Sequence, residues 1–171
     1  PSGADVNPGK AGRARRRMEL ANFLRPNAVR VLGQSASKKR LFQELADIAQ
    51  SVYGLDAATT LDALQERETL GPTGVGHGVA LPHARLHGLD RVVGVFVRLD
   101  KPLDFDAVDR MPVDLIFALF APKDTGVEHL KALAIVSRTL REEGMRNKLR
   151  ANSDRSALHA VLTERRSTQA A

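Results

Sequence analysis

The sequence predicts one three-layer α/β/α domain in which helices flank a short mixed β-sheet. Two apolar runs rich in β-branched residues, at 91–99 and 113–120, are typical of strands buried on both faces. Amphipathic segments, with apolar residues three and four positions apart, lie before and after these runs. Strands and helical segments that share one chain in this way favour the α/β class. A chain of 171 residues is long enough to bury a single core of this kind.

The chain before residue 71 is predicted to form a short strand and two helices. Residues 28–32 alternate weakly between apolar and polar side chains, which indicates a strand. The first helix begins after Ser35 or Ser37, either of which can cap it, and ends at Gly54, because glycine readily takes the left-handed conformation that closes a helix. The second begins at Asp56 or Thr59, both good N-caps, and ends near residue 70. The residues predicted to face inward are Leu41, Leu45, Ile48, Ala49 and Val52 in the first helix and Leu61, Ala63 and Leu64 in the second.

The chain after residue 100 is predicted to be helical apart from one loop and one strand. The polar loop covers 101–112 and contains three aspartates. Thr125 is predicted to cap a long helix over about 127–143, which Gly144 breaks. A short helix over 145–150 and a final helix follow. The inward face of the long helix is predicted to consist of Leu130, Leu133, Ala134, Val136, Ser137 and Leu140.

Composition excludes several classes of site and predicts how the chain is divided. The chain has no cysteine, so zinc–thiolate sites and thiol nucleophiles are excluded. Much of the net charge of +6 lies in residues 1–17, which are predicted to be a disordered basic leader. The folded unit is expected over 18–165, with a flexible tail at 166–171. No aromatic residues interleave with the basic ones, so nucleic-acid binding is not expected.

The hydropathy pattern predicts a protein without membrane insertion. The longest apolar run, Leu115–Ala121, is far shorter than the roughly 20 residues that a membrane span needs. The basic residues near the start are not followed by the apolar segment of a secretory signal. We therefore expect a cytoplasmic protein.

The stretch from Gly71 to Arg85 has the most unusual composition in the chain. It holds four glycines, two prolines and two histidines in fifteen residues. Glycine permits positive φ angles and close approach, and Pro82 fixes the backbone just before His83. We expect a rigid, irregular segment that presents the His83 imidazole. The glycine spacing matches neither a Walker phosphate loop nor a dinucleotide fingerprint, so kinase and nucleotide-oxidoreductase functions have no support.

The residues around this stretch favour phosphoryl transfer through a histidine. A neutral imidazole, with an ordinary pKa of about 6.5, is a nucleophile at pH 7 and attacks phosphorus well. Arg67 is the natural cation for the phosphoryl oxygens, with Arg85 as a second candidate and His129 as a further donor. Such a site also needs backbone N–H groups that hold phosphoryl oxygens in a nest. The glycines predicted to supply this nest are Gly74, Gly76 and Gly78.

A metal site is an alternative use of the histidines. His77, His83 and His87 lie within eleven residues, and His129 follows later in the chain. Their spacing in a segment rich in proline and glycine is not an established ligand pattern, so we expect neither a metal nor a cofactor. A binding module that uses the histidines or the basic leader is a third hypothesis.

The string from Arg67 to Arg85, with its Gly-x-Thr-Gly-x-Gly-x-Gly-x-Ala-x-Pro-His core, resembles the signature of bacterial phosphotransferase-system EIIA domains of the fructose/mannitol/nitrogen type. The resemblance implies that His83 is phosphorylated by an HPr-like carrier. It further implies that Arg67 contacts the phosphohistidine, that His129 is the second active-site histidine, and that no metal is bound. Ala84 departs from the glycine expected there. The resemblance extends over about 18–165 through the segments 91–99, 105–109, 112–119 and 129–134.

The type of EIIA is predicted from the length of the chain and from two segments. The chain is too short to contain an added EIIB domain and has no apolar spans of an EIIC domain. With its segments 73–76 and 105–109, it looks most like the nitrogen-regulatory EIIA. That type implies a phosphotransferase component that regulates nitrogen-, carbon- or potassium-related targets by phosphorylation-dependent protein binding. The alternative is a sugar-specific EIIA that passes its phosphoryl group to an EIIB.

Overall fold

The computed structural model of the protein describes residues 17–124 and 126–164, and within them six strands and five α-helices form a three-layer α/β/α domain. The predicted Thr125 cap, the leader up to residue 16 and the predicted tail lie outside the described residues. The elements are β1 (Val29–Leu32), α1 (Lys38–Tyr53), α2 (Ala57–Thr69), β2 (Gly74–Gly76), β3 (Val79–Ala80), β4 (His83–Leu86), β5 (Val93–Leu103), β6 (Val113–Pro122), α3 (Gly126–Arg141), α4 (Glu143–Ala151) and α5 (Arg155–Thr163).

The sheet is mixed, as predicted, and its order is β1-β5-β6-β3-β2. Strands β5 and β6 are antiparallel at its centre, β1 runs parallel to β5, and β2 pairs antiparallel with β3. Strands β3 and β4 both lie parallel to β6 on the same side, so Val79 pairs with Leu115 and His83 with Leu119. Within the described chain β4 pairs with β6 alone, which leaves its other side free to form the floor of a groove.

The glycine-rich stretch is more regular than predicted, because it contains the three short strands β2, β3 and β4. His83 is the first residue of β4, where its side chain is partly exposed. The carbonyl of Pro82 accepts a hydrogen bond from the N–H of Leu119, at 3.0 Å, which ties the turn before His83 to the central strand β6. The expected rigidity therefore comes from strand pairing.

Helices α1 and α2 form as their caps and periodicity predict. The Ser37 hydroxyl accepts the N–H of Arg40 at 3.0 Å at the start of α1, and Gly54 closes α1 in the left-handed conformation with φ 72°. The Asp56 carboxylate accepts the N–H of Thr59 at 2.9 Å at the start of α2. The predicted inward face of α1 is buried, and in α2 Leu64 is buried while Leu61 and Ala63 are partly buried.

Two groups of helices cover the sheet. Helices α1 and α2 pack on each other, α1 lies against β5, and α2 lies along β4. On the other side α3 packs on β6, α5 packs on β1, and α4 joins the two helices. At the centre the Phe117 ring lies edge-on to Phe23, with centroids 6.2 Å apart, and tilted against Phe96 at 6.1 Å. These buried aromatic contacts stabilise the packing of the central strands β5 and β6 on each other and on the segment before β1.

Two predictions about the second half of the chain are wrong in detail. Strand β5 continues past residue 99 to Leu103, which pairs with Val113 beyond a register shift, so the loop begins only at residue 104. Gly144 lies inside α4 and does not break α3. The break falls at residue 142, because the buried Arg146 guanidinium donates to the carbonyls of Leu140 and Arg141 and so ends α3.

The inward face of α3 differs from the prediction at its first turn. His129 is only 5% exposed, whereas Leu130 is 65% exposed. Ala134 is exposed as well, and the buried residues are His129, Ala132, Val136 and Leu140. The predicted Val136 and Leu140 are thus correct, but Leu130 and Ala134 are not. At the start of α3, His129 is buried and Leu130 is exposed at the groove. The first turn of this helix therefore contributes to the groove more than to the hydrophobic core.

Candidate active site

A groove of about 650 Å³ runs between α2 and α3 above the free side of β4. Arg67 lies on its α2 side, His83 on its floor and His129 on its α3 side. The structure therefore brings together the three side chains that the resemblance implies, from positions up to 62 residues apart in sequence. Two exposed leucines, Leu70 and Leu130, lie at the groove as well.

The hydrogen bonds of His83 determine which ring nitrogen is free to react. Nδ1 lies 2.8 Å from the carbonyl oxygen of Leu81, and a carbonyl only accepts, so Nδ1 carries the proton. Nε2 therefore keeps its lone pair and accepts the Nε–H of Arg67 at 3.2 Å. Burial is the main cause that lowers the pKa of His83. The Leu81 carbonyl and Glu68 raise this pKa, and the positive charges of Arg67 and Arg85 lower it, so that the net shift is downward. The ring is thus neutral at pH 7, with a lone pair at Nε2.

Arg67 is held beside this lone pair by the end of its own helix. Its Nη1 donates to the carbonyl of Gly71 at 3.1 Å, just after α2 ends, while Nε faces His83. A guanidinium in this position lies next to any group that becomes bonded to Nε2. Because guanidinium donors match phosphoryl oxygens well, the placement fits the predicted contact.

His129 is arranged as a hydrogen-bond donor. Its ring lies edge-on to that of His83, with centroids 5.3 Å apart. Arg85 Nε donates to Nδ1 at 3.4 Å, which leaves the ring proton on Nε2. This Nε2 is buried and has no hydrogen-bond partner among the described residues. Burial, followed by the neighbouring His83 and Arg85, lowers the pKa of His129 to about 4, so a neutral ring presents an unused N–H.

The lowered pKa of His129 makes the stability of the protein depend on pH. An unfolded histidine has a pKa of about 6.5, so between pH 6.5 and about 4 the unfolded chain binds more protons than the folded one. We expect the free energy of unfolding to be highest above pH 6.5. It should fall by up to about 3 kcal/mol as the pH decreases towards 4. Denaturant titrations across this range measure the slope.

The control for this pH dependence is the exposed His87. A His129→Gln chain should show a clearly flatter pH dependence than the wild type, with the remaining slope coming in part from His83, whose pKa is lowered in the same direction. A His87→Gln chain should keep the wild-type slope. Equal slopes in all three chains would contradict the neutral, buried state of His129.

The three predicted nest glycines do not line the groove that holds His83. A Cβ on Gly74 would lie 2.8 Å from the Cβ of Ala107, and one on Gly78 would lie 2.4 Å from Nη2 of Arg150. Gly76 and Gly78 have φ angles of 102° and 77°, which favour glycine. The glycines thus allow close packing against the 104–112 loop and α4, and their placement does not support a phosphate nest.

His77 and His87 lie outside the hydrogen bonds that hold the rings of His83 and His129. His77 is exposed at the β2–β3 turn, where its N–H donates to the Asp109 carboxylate at 2.8 Å. His87 is exposed and lines the same groove. In residues 17–124 and 126–164 no three histidine, aspartate or glutamate side chains group as a metal ion would require.

Several features of the site were not predicted from the sequence. The acceptor for Nδ1 is a main-chain carbonyl, that of Leu81, which no side-chain pattern reveals. The contact of Arg85 with His129 spans 44 positions. Glu68 accepts hydrogen bonds from Thr73, and its position directly after Arg67 is the one sequence signal that could have pointed to it.

Comparisons with known proteins show which family the chain belongs to. Residues 22–165 match the model of the phosphoenolpyruvate-dependent sugar phosphotransferase system EIIA 2 family. The chain is 43% identical over 145 residues to a nitrogen regulatory protein of Bradyrhizobium diazoefficiens, covering 85% of this chain and 95% of the relative. It is 35% identical over 130 residues to a fructose-specific EIIA component of Haloferax volcanii, covering 75% and 84%.

A solved structure shows the same fold. The crystal structure of the nitrogen regulatory protein IIA-Ntr from Neisseria meningitidis superposes with a TM-score of 0.77 at 36% identity, covering 83% of this chain and 97% of that one. The fold and the family match define a component of a phosphoryl-transfer system. The chain belongs to the EIIA type 2 family of the phosphoenolpyruvate-dependent sugar phosphotransferase system. No helix in the described part of the chain has the length and apolar character of a membrane span.

Proposed function

We propose that this chain is a phosphocarrier that accepts a phosphoryl group on Nε2 of His83 from the phosphohistidine of an HPr-like protein. One observation carries the proposal. Nε2 holds a lone pair beside the Arg67 guanidinium, while Nδ1 is committed to the Leu81 carbonyl. Family membership supports a role in phosphoryl transfer, and the groove supports His83 as the acceptor.

The transfer is an in-line displacement at phosphorus. The Nε2 lone pair forms the new N–P bond as the N–P bond of the donor breaks, and that electron pair returns to the donor imidazole. No proton needs to leave His83, and the positive charge that its ring gains is stabilised by the Nδ1–H bond to the Leu81 carbonyl. Arg67 turns from the lone pair to the phosphoryl oxygens, and His129 donates its unused Nε2–H to one of them.

The groove is also suited to a protein donor. Leu70 is 81% exposed and Leu130 is 65% exposed, so two large apolar side chains face solvent at one groove, as they do at contact surfaces. Both line the groove that contains His83. They give an HPr-like protein an apolar surface on each side of His83.

The phosphorylated protein then acts as a regulator in our proposal. Relatives that are 43% and 36% identical carry the name of nitrogen regulatory protein. By this likeness, binding to targets related to nitrogen, carbon or potassium would depend on whether His83 is phosphorylated. The second candidate is a sugar-specific EIIA that passes the group to an EIIB, which the likeness to a fructose-specific component favours.

Transfer from a charged HPr-like carrier tests this function. We expect one phosphoryl group per chain, labile in acid and stable in base, and NMR spectra of ¹⁵N-labelled histidine that place it on Nε2 of His83. A base-labile phosphate, or no transfer, would contradict the proposal. Adding purified fructose-type EIIB afterwards separates the two candidates, because only the sugar-specific hypothesis predicts rapid transfer of the phosphoryl group to EIIB.

A further inference from the structure

A continuous series of hydrogen bonds links α2 to the ring of His83. The Glu68 carboxylate accepts the N–H of Thr73 at 3.0 Å and its hydroxyl at 2.7 Å. The carbonyl of Thr73 accepts the N–H of Leu81 at 2.9 Å. The carbonyl of Leu81 accepts Nδ1–H of His83 at 2.8 Å. Each residue in the series is thus held by the one before it.

The first part of this series is buried and charged. Thr73 is 4% exposed, and the Glu68 side chain is 9% exposed. Lys38 forms an ion pair with Glu68 at 2.9 Å and lies over the Phe105 ring, 4.7 Å from its centroid. Hydrogen bonds to a buried, ion-paired carboxylate are among the stronger ones in proteins, so Thr73 is fixed firmly.

The last part of the series leaves the Leu81 carbonyl little freedom. Its own N–H is bonded to Thr73 on one side. On the other side the ring of Pro82 restricts φ, and the Pro82 carbonyl is bonded to the N–H of Leu119 at 3.0 Å. If this carbonyl turned away, Nδ1 would lose its acceptor, and the ring proton would be free to occupy Nε2, where it removes the lone pair.

We propose that Glu68 and Thr73 are positioning residues that keep the His83 proton on Nδ1 through the Leu81 carbonyl. Neither residue contacts the His83 ring in the hydrogen bonds described. Glu68 directly follows Arg67, so one turn of α2 places the guanidinium at Nε2 and also anchors the acceptor at Nδ1. The proposal rests on His83 being the phosphoryl acceptor.

The test compares two substitutions of Thr73 with a matched threonine. Thr73→Val removes the hydroxyl bond to Glu68, and Thr73→Ser keeps it. Thr60 is also buried, lies on α2 and bonds a main-chain carbonyl through its hydroxyl, so Thr60→Val is the control. Three quantities are measured: the tautomer of His83 by long-range ¹H–¹⁵N NMR, the transfer rate at saturating charged carrier, and the carrier concentration for half-maximal rate.

We expect Thr73→Val to raise the Nε2–H population of His83 and to lower the saturated rate about tenfold. The half-maximal carrier concentration should change little, because Thr73 does not line the groove. Thr73→Ser should recover most of the rate, and Thr60→Val should lose stability but keep the wild-type tautomer.

A wild-type tautomer and rate in Thr73→Val, or an equal loss in Thr60→Val, would overturn the proposal. If Thr73→Val does not fold, the same three quantities are measured for Glu68→Gln. A wild-type protein that takes up no phosphoryl group on His83 would instead overturn the proposed function, so the two failures are distinguishable.

Discussion

A His83→Ala chain is expected to accept no phosphoryl group from a charged HPr-like carrier, with labelling reduced to background. On the groove floor, Nε2 of His83 carries an imidazole lone pair and lies beside the Arg67 guanidinium. The neighbouring His129 does not replace it, because Arg85 occupies Nδ1 and the proton sits on a buried Nε2. Labelling with radioactive phosphate, with intact mass measured in parallel, gives the result directly.

The control for this loss is a histidine outside the groove. His77 is exposed at the β2–β3 turn with φ 57°, so His77→Asn keeps a residue that tolerates the left-handed conformation. It should label like the wild type. If His83→Ala still gained acid-labile phosphate, the acceptor would be another residue. If His77→Asn lost its labelling, the β2–β3 turn would belong to the site.

Local signals explain why the fold was largely predictable. Helices α1 and α2 were correct because their caps and apolar periods lie within a few residues of each other. Apolar periodicity gave the wrong inward face at the start of α3, because it assigns leucine to the core and histidine to the surface. His129 is buried because Arg85, distant in sequence, bonds its ring, and Leu130 faces the groove. No local pattern contains these contacts.

The candidate site was predicted in part, for a different reason. The likeness of the string 67–85 to a known signature pointed to Arg67 and His83, and the likeness of the segment 129–134 pointed to His129. The structure brings these three side chains to one groove. The glycines were misjudged because composition does not distinguish a glycine near phosphate from one required for close packing. Gly74 is required by Ala107, a contact that spans 33 positions. The role of the Leu81 carbonyl was not predicted, because every residue has a carbonyl and the sequence does not show which one accepts from His83.

The second large effect is expected for Arg67→Ala, which should lower the transfer rate about 10²- to 10³-fold. In the mechanism above this guanidinium is the charge nearest to the phosphoryl oxygens, and it makes contact with them only as the group arrives. The half-maximal carrier concentration should therefore change much less than the saturated rate. Arg67→Lys should lose about tenfold, since an ammonium keeps the charge but not the planar fork. Arg138→Ala, at an exposed position on α3, is the matched control.

The pH of this measurement decides how the loss is interpreted. Burial is the main cause of the lowered pKa of His83, but the charge of Arg67 contributes, so Arg67→Ala also raises that pKa. Near neutral pH the variant would then lose rate twice, once through the missing guanidinium and once through protonation of Nε2. At about pH 8 the ring is neutral in both chains, and the remaining loss measures the contact with the phosphoryl group alone. If the loss vanished at that pH, Arg67 would act only by keeping His83 neutral, and its assignment to the phosphoryl oxygens would be wrong.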